Sequence, residues 1–386
     1  MQQRTVGVEE EFFLIDPETR LSAPAAQRLL RRAAEQQPDL EPEDMTEELF
    51  QHQVETRTPP VRTASELREH LVRCRGLAVE SAEAVGLHAM ASGTVPTANL
   101  DPKVTARDRY LDMVDTFGEI ARPGGTCGMH VHVYVETPET GVAVIDQVVP
   151  WLPVILAISA NSPFYQGRDT TYASWRSQVW AQWPSAGPTE PFGSLRTYRT
   201  VSRQMQRSGA ARDEGMLYFD ARLARDHPTV EFRISDVCTD VDNAVLIAAL
   251  LRSLVTSAAS RAAEAETDLG STRKERLATG RAAEYIWRSE LLRAAQWRAA
   301  RYALTDRLLD PTTGEPETAR LVLERLVMVC RDQLEEAGEL DLVDEGIRRV
   351  LAESGASRQR AAFERTGSVD AVVDDVIQRT CPGTRG

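Results

Sequence analysis

Three short runs of this sequence carry ionisable side chains two residues apart. They are Val6-Gly-Val-Glu-Glu-Glu-Phe-Phe-Leu-Ile15, Gly128-Met-His-Val-His-Val-Tyr-Val135 and Thr229-Val-Glu-Phe-Arg-Ile-Ser235. Each is rich in β-branched and aromatic residues and reads as a strand, and the first stops at Asp16-Pro17. Strand side chains alternate between faces. Glu9 and Glu11 therefore share one face, opposite Val8, Glu10, Phe12 and Leu14. His130 and His132 share a face of the second run, and Glu231 and Arg233 a face of the third. Carboxylates side by side in an apolar strand repel each other and lose hydration, and a bound cation is the usual remedy. A solvated strand face can also carry one such pair. Three pairs brought into one sheet would converge on a single polar surface, and that convergence favours a site. Glu10, on the opposite face, reads as structural.

A fourth run, Leu49 to Arg57, looks extended and ends at Pro59-Pro60. It sets Gln51, Gln53, Glu55 and Arg57 on one face, opposite Phe50, His52 and Val54. The candidate set is then Glu9, Glu11, Glu55, His130, His132, Glu231 and Arg233. It is rich in carboxylate oxygen and has no thiolate, which favours Mg²⁺ or Mn²⁺ over zinc. No P-loop and no Rossmann glycine fingerprint is present, so a nucleotide here would be held through metal-bridged phosphates. An arginine such as Arg233 suits developing phosphoryl charge. Two rivals stay open at this level. His-x-His also opens many zinc hydrolase sites, although glutamates outnumber histidines here and an arginine sits among them. A non-catalytic metal- or nucleotide-binding module would need neither the arginine nor the aromatic loop described below.

The rest of the chain must position these residues. Its 386 residues can bury a large core in one domain or two. A net charge of −13 argues against a general nucleic-acid binder and suits small-molecule work. The five cysteines (Cys74, Cys127, Cys238, Cys330 and Cys381) form no CxxC and are odd in number, which points to a reducing cytoplasm. No signal-peptide pattern opens the chain, and the most apolar run, Val148 to Ala160, is broken by Pro150 and Pro153 and too short to span a bilayer. A soluble protein without nucleic-acid or membrane partners is expected.

Helical patterns are expected over Ala25–Gln36, Ser65–Val85 (capped by Ser65 and ended at Gly86), Arg107–Ala121, Asp146–Ala160 and Ser194–Gly209. Asp39–Glu48 reads as an acidic connection, His88–Ser92 as a strand, and Gly215–Arg222 as a strand leading into the Glu231 strand. From Asn243 the pattern is helical to the end, with helices near Val245–Glu264, Arg276–Leu309, Thr318–Glu336 and Asp341–Ala352, breaks at Gly270 and Asp310-Pro311, and a loose tail from Cys381. Asn161–Phe192 is irregular and rich in aromatic residues, and holds Arg168 and Arg176 as candidate anion contacts. A long irregular loop in a compact domain is usually functional.

Six runs in order resemble the carboxylate–amine ligase family, the type 2 glutamate–cysteine ligases. They are Gly7-Val-Glu-Glu-Glu-Phe12, Gln53-Val-Glu-Thr56, Gly128-Met-His-Val-His132, Ser159-Ala-Asn-Ser-Pro-Phe164, Ala173-Ser-Trp-Arg-Ser-Gln178 and Val230-Glu-Phe-Arg-Ile-Ser-Asp236. The resemblance implies an α+β, glutamine synthetase-like fold: a curved, mostly antiparallel sheet backed by helices, with the site on its concave face. It implies one catalytic domain over 1–386, with a core over about 5–260 and a helical C-terminal part over about 261–380. It also implies ATP, two or three Mg²⁺ ions, and an acyl phosphate joining the glutamate γ-carboxylate to cysteine or another amine. By position Glu9, Glu11, Glu55 and Glu231 match metal-ligand carboxylates, and Glu48 falls where a further acidic ligand stands. His130 matches a metal- or phosphate-side histidine, His132 joins it at the nucleotide, and Arg233 matches the arginine facing the transferred phosphate. Arg176 is expected to meet the substrate carboxylate. A homodimer is compatible with this reading.

Overall fold

Alternating apolar residues make Val6–Ile15 the longest strand, β1, and everything near the site is hung from it. The computed structural model describes residues 3–36, 41, 44–98, 102–121, 125–267 and 287–381. After β1 come helix α1 (Ala26–Gln36), strands β2 (Met45–Glu47) and β3 (Gln53–Arg57), helix α2 (Ala64–Glu83) and strand β4 (His88–Met90). Helix α3 (Asp108–Phe117), strand β5 (Gly128–Tyr134) and helices α4 (Pro138–Val148) and α5 (Leu152–Ser159) follow. A two-residue hairpin, β6 (Phe164–Tyr165) with β7 (Arg168–Asp169), leads to helices α6 (Trp175–Trp180) and α7 (Leu195–Arg207). Strands β8 (Ala221–Leu223) and β9 (Thr229–Asp236) then feed α8 (Val241–Thr267).

The main sheet runs β2-β3-β1-β5-β9-β8, with β4 on the far end of β1, and every pairing is antiparallel. One face is apolar. Val8, Val131, Val133, Val230 and Phe232 are buried there in a core shared with α5 and α8. Burying that face leaves the alternate side chains, including Glu9, His130 and Glu231, on the other.

Helix α2 shows how local sequence sets an end. Its N-cap is Thr63 rather than Ser65: the Thr63 hydroxyl accepts from the Glu66 amide, and Glu66 accepts from the Thr63 amide. Past the other end, Gly86 takes φ 75°, a left-handed turn that L side chains resist. The apolar helix of the middle chain starts earlier than its sequence suggests, because Thr137 caps α4 and Pro138 opens it. A 3₁₀ turn at Val149–Trp151 divides α4 from α5. Pro138–Ser159 and Val241–Glu264 are each apolar enough to cross a bilayer, yet both are largely buried in the core.

Three other expectations change. Met45–Glu47 pairs with β3 and is a strand, while 39–40 and 42–43 lie outside the described residues. The strand expected over Gly215–Arg222 is confined to Ala221–Leu223, after a 3₁₀ turn at Glu214–Met216. Arg307–Leu309, expected as the end of a helix, instead pairs with Pro316–Thr318 in a hairpin across the expected break at Asp310-Pro311. The C-terminal helices are Ser289–Tyr302, Ala319–Ala337, Leu340–Ala352, Gly355–Thr366 and Val369–Thr380. The helix start at Arg276, the break at Gly270 and the tail after Cys381 fall outside the described residues.

Candidate functional site

The pairing register brings the separated polar pairs together. Glu9 faces His130 between β1 and β5, Glu11 faces Glu55 between β1 and β3, and His132 faces Glu231 between β5 and β9. His130 Nδ1 lies 3.1 Å from Glu9 Oε2 and 3.8 Å from Glu55 Oε1, and its Nε2 lies 3.8 Å from Glu11 Oε1. The backbone amide of Gly128 donates to Glu11 at 2.6 Å. His132 Nδ1 sits 3.0 Å from the Thr229 hydroxyl, and its buried Nε2 has no hydrogen-bond partner and lies 3.6 Å from Glu9. Arg233 contacts the Glu231 carboxylate.

Crowding divides the carboxylates into two kinds. Burial would lift Glu9, but His130 and His132 outweigh it and hold its carboxyl well below the usual range. Burial would lift Glu231 too, but Arg233, Arg222 and His132 hold it far down. Glu55 goes the other way: burial, reinforced by Glu9, Glu48 and Glu11 and opposed by Arg57, lifts it well above the usual range. Burial and Glu11, against Arg233, push Glu48 up to about 8. Burial and the nearby Arg233 lower the His130 imidazole despite Glu9 and Glu11. The cluster thus biases Glu48 and Glu55 toward their protonated forms and His130 toward the neutral imidazole.

These donors fit a hard divalent cation. Three overlapping sets each place one donor atom per residue within 4.8 Å of the others: Glu9, His132 and Glu231; Glu9, Glu55 and His130; Glu11, Glu48 and Glu55. Carboxylate oxygen dominates and no thiolate takes part; His132, whose Nε2 is buried without a hydrogen-bond partner, belongs to the first set. A cation would also return Glu48 and Glu55 to their charged forms.

The cluster floors a cavity of about 610 Å³. Its walls hold residues the sequence reading did not single out. Arg222 on β8 donates to Glu231 at 2.7 and 3.0 Å. Trp180, Trp183 and Tyr218 form an aromatic wall with ring centroids 4.6 to 6.4 Å apart. Each arginine on the cavity wall is already ion-paired: Arg57 with Glu55, Arg107 with Glu47, Arg109 with Asp213, Arg222 and Arg233 with Glu231, and Arg225 with Asp226. β8 has three residues, too few to show a period. The run Trp175-Arg-Ser-Gln-Val-Trp180 was the available signal for the aromatic wall.

Arg176 lies elsewhere than expected. It is 2% exposed, does not line the cavity, and donates to the carbonyls of Arg233 and Ile234 at 3.2 Å each. Its place is one layer behind the wall. Glu10, read as structural, is buried on the reverse face against Arg75.

Comparison with known proteins agrees with this architecture. The profile of the family described as glutamate-cysteine ligase family 2 (GCS2) matches residues 5–375. A Nocardioides sp. protein provisionally named glutamate–cysteine ligase 2-1 is 51% identical over 382 residues, covering 98% of this chain and 96% of its own. A Streptomyces coelicolor protein provisionally named glutamate–cysteine ligase 2 is 42% identical over 378 residues, covering 98% and 99%. Among solved structures, a glutamate–cysteine ligase from Francisella tularensis in complex with AMP superposes with a TM-score of 0.68 at 11% identity, over 99% of this chain and 90% of its own. A bifunctional glutathione synthetase from Pasteurella multocida gives the same TM-score at 14% identity, over 99% of this chain and 52% of its own. These two structural likenesses bear on the fold.

Proposed function

The chain belongs to glutamate–cysteine ligase family 2, and on that premise we propose that it is an ATP-dependent ligase joining the glutamate γ-carboxylate to an amine, cysteine or another amino compound, through an acyl phosphate. The observation that carries this is the convergence of Glu9, Glu11, Glu48, Glu55, His130, His132 and Glu231 on one cavity floor, with Arg233 beside them. The AMP in the Francisella tularensis ligase of the same fold supports a nucleotide. The cysteines, which form no disulfide among the described residues, support a reducing cytoplasm.

A carboxylate does not acylate an amine, because its oxygen is a poor leaving group. The donor oxygen attacks the γ-phosphorus, the bond to the β-phosphate oxygen breaks, and ADP departs. The amine nitrogen then attacks the acyl carbon, phosphate leaves, and the nitrogen loses a proton. Glu9, Glu11, Glu48, Glu55, His130, His132 and Glu231 would hold Mg²⁺ or Mn²⁺, which when bound neutralises the repulsion between carboxylate and phosphate. Arg233 has a planar fork suited to the equatorial oxygens of the transferring group. Arg222 fixes Glu231, and the neutral His130 is free to accept or ligate. No covalent enzyme intermediate is required.

The test is a panel of carboxylates and amines with ATP and Mg²⁺, reading ADP, phosphate and product mass. ADP and phosphate should appear only with a carboxylate present. AMP and pyrophosphate would refute the acyl-phosphate route, and zinc-dependent turnover without nucleotide would favour a hydrolase.

A further inference from the structure

We propose that Arg176 is a positioning residue for the phosphoryl step: it clamps a bulge in β9 and so aims Arg233 into the cavity. This rests on the reading that Arg233 meets the transferring phosphoryl group.

The bulge is visible in the register. β5 pairs His132 with Glu231 and Val131 with Phe232, but Met129 with Ser235, so Arg233 and Ile234 together stand against His130. A bulge leaves ladder groups without strand partners and re-aims a side chain, often beside an active site. Here the Arg233 amide is taken by the Asp220 carbonyl at 2.9 Å. The carbonyls of Arg233 and Ile234 are taken by Nη2 and Nη1 of Arg176. Those are the only hydrogen bonds of that guanidinium among the described residues, and its Nε has no partner. Its ion pair with Asp236, Nη1 to Oδ1, is long at 4.0 Å, so the two bulge carbonyls are the hydrogen-bonded contacts of this buried guanidinium, as a clamp requires.

The surroundings are built around it. Gly128 lies against the guanidinium so closely that a Cβ there would sit 2.9 Å from Cζ. The same glycine's amide holds Glu11, so the clamp and a candidate metal ligand share one backbone unit. The Arg176 amide donates to the Ser162 hydroxyl at 3.0 Å, and Ser162 donates to Asp236 at 2.6 Å. Asp236 also accepts from the Ser174 hydroxyl that caps α6, at 2.8 Å. The helix carrying Arg176 is thereby tied to the far end of the strand whose bulge it holds. One turn on, Trp180 lies 5.6 Å from Arg176 Cζ and 6.0 Å from Arg233 Cζ, a shared aromatic spacer between the two cations.

The experiment is steady-state kinetics and thermal melting on Arg176→Lys, Arg176→Gln and Gly128→Ala, alone and combined with Arg233→Lys. Misplacing a catalytic group by about an ångström costs on the order of a hundredfold, so Arg176→Gln should lower kcat by roughly tenfold to a hundredfold while both KM values stay within about threefold. Gly128→Ala should show the same pattern, because its new Cβ displaces the guanidinium. In the Arg233→Lys background, Arg176→Gln should cost less than about threefold more, since the effect travels through Arg233. A raised KM for the carboxylate with kcat intact would instead make Arg176 a substrate contact and overturn the proposal. Full additivity with Arg233→Lys would overturn it too. Should Arg176→Gln fail to fold, Arg176→Lys and Gly128→Ala decide, and near-normal kcat in both sinks it. Undiminished turnover in Arg233→Lys alone would refute the underlying reading of Arg233, a result distinct from any behaviour of Arg176.

Discussion

Arg222 grips Glu231 across β8 and β9 with two hydrogen bonds, Nε to Oε2 at 2.7 Å and Nη2 to Oε1 at 3.0 Å. Arg233 contacts the same carboxylate two residues along β9. One acid held by two guanidinium groups, nearly out of water, is more than folding needs. Buried ion pairs are weak sources of stability, and truncating one partner leaves the other stranded. The arrangement makes sense if Glu231 and Arg233 have separate duties, the acid toward metal and the cation toward phosphate.

Arg233→Lys keeps the charge and loses the planar fork. It should lower turnover about a hundredfold or more, the scale of removing one donor to a transition state, with a much smaller change in nucleotide affinity. Glu231→Gln should instead raise the metal concentration needed for half-maximal activity. ADP release measured against metal and nucleotide concentration separates the two. Near-normal turnover in both variants would end the assignment.

The strands behind this prediction were legible in sequence because period two survives in β1, β5 and β9, whose apolar faces are buried. What was not legible depends on pairing rather than spacing. Arg222 reaches Glu231 only because β8 docks beside β9. Glu48, marked in the sequence by the family resemblance and not by strand spacing, joins Glu11 and Glu55 because β2 folds back along β3. The β9 bulge leaves no mark on the pattern Val230-Glu-Phe-Arg-Ile-Ser235, so Arg176, polar and in an irregular stretch, read as a substrate contact. The same stretch, irregular in sequence, is anchored in the fold: Asn161, Ser162, Ser174 and Arg176 are buried.

Glu11→Gln removes one charge from a crowded cluster and keeps an acceptor for the Gly128 amide. It also relieves the repulsion that lifts Glu48 and Glu55. In chelator, the variant should melt at or above the wild-type temperature at neutral pH. Its stabilisation by added Mg²⁺ should be reduced or lost. A marked drop in chelator would show that Glu11 is needed for the fold itself.

The lifted carboxyls also predict a pH slope. Glu48 moves from an ordinary 4.5 to about 8, and Glu55 moves in the same direction. Between those limits the native state holds protons that the unfolded chain has released, so metal-free stability should fall as pH rises from about 4.5 through 8. Asp220, lifted to about 7 mainly by burial, adds to the slope with the same sign. Glu9 and Glu231 are held low, so their contribution is lost only as pH falls below that window. Glu48→Gln should flatten the slope in part. Melting scans in chelator from pH 5 to about 9 test this, and a flat or rising profile would contradict the protonated cluster.

The last prediction concerns the reverse face of β1. Glu10 is 1% exposed and Arg75 0%, and the pair is joined through Nε at 2.8 Å and Nη2 at 2.5 Å. Arg75 also donates to the carbonyls of Cys238 at 2.7 Å, Thr239 at 2.5 Å and Thr380 at 3.2 Å. One side chain on α2 therefore ties together the central strand, the turn leading into α8 and the C-terminal helix Val369–Thr380. Arg75→Met would strand a buried carboxylate and leave three carbonyls without this donor, and should cost about 3–5 kcal/mol in denaturant unfolding. Removing both charges, as in Glu10→Leu with Arg75→Met, should recover part of that loss, because the stranded charge is its largest component. Glu10 lies between Glu9 and Glu11, so Arg75→Met should also weaken Mg²⁺ binding in whatever fraction stays folded. A loss below about 1 kcal/mol in the single variant would place the pair among ordinary surface-like contacts and remove the case for a structural clamp behind the site.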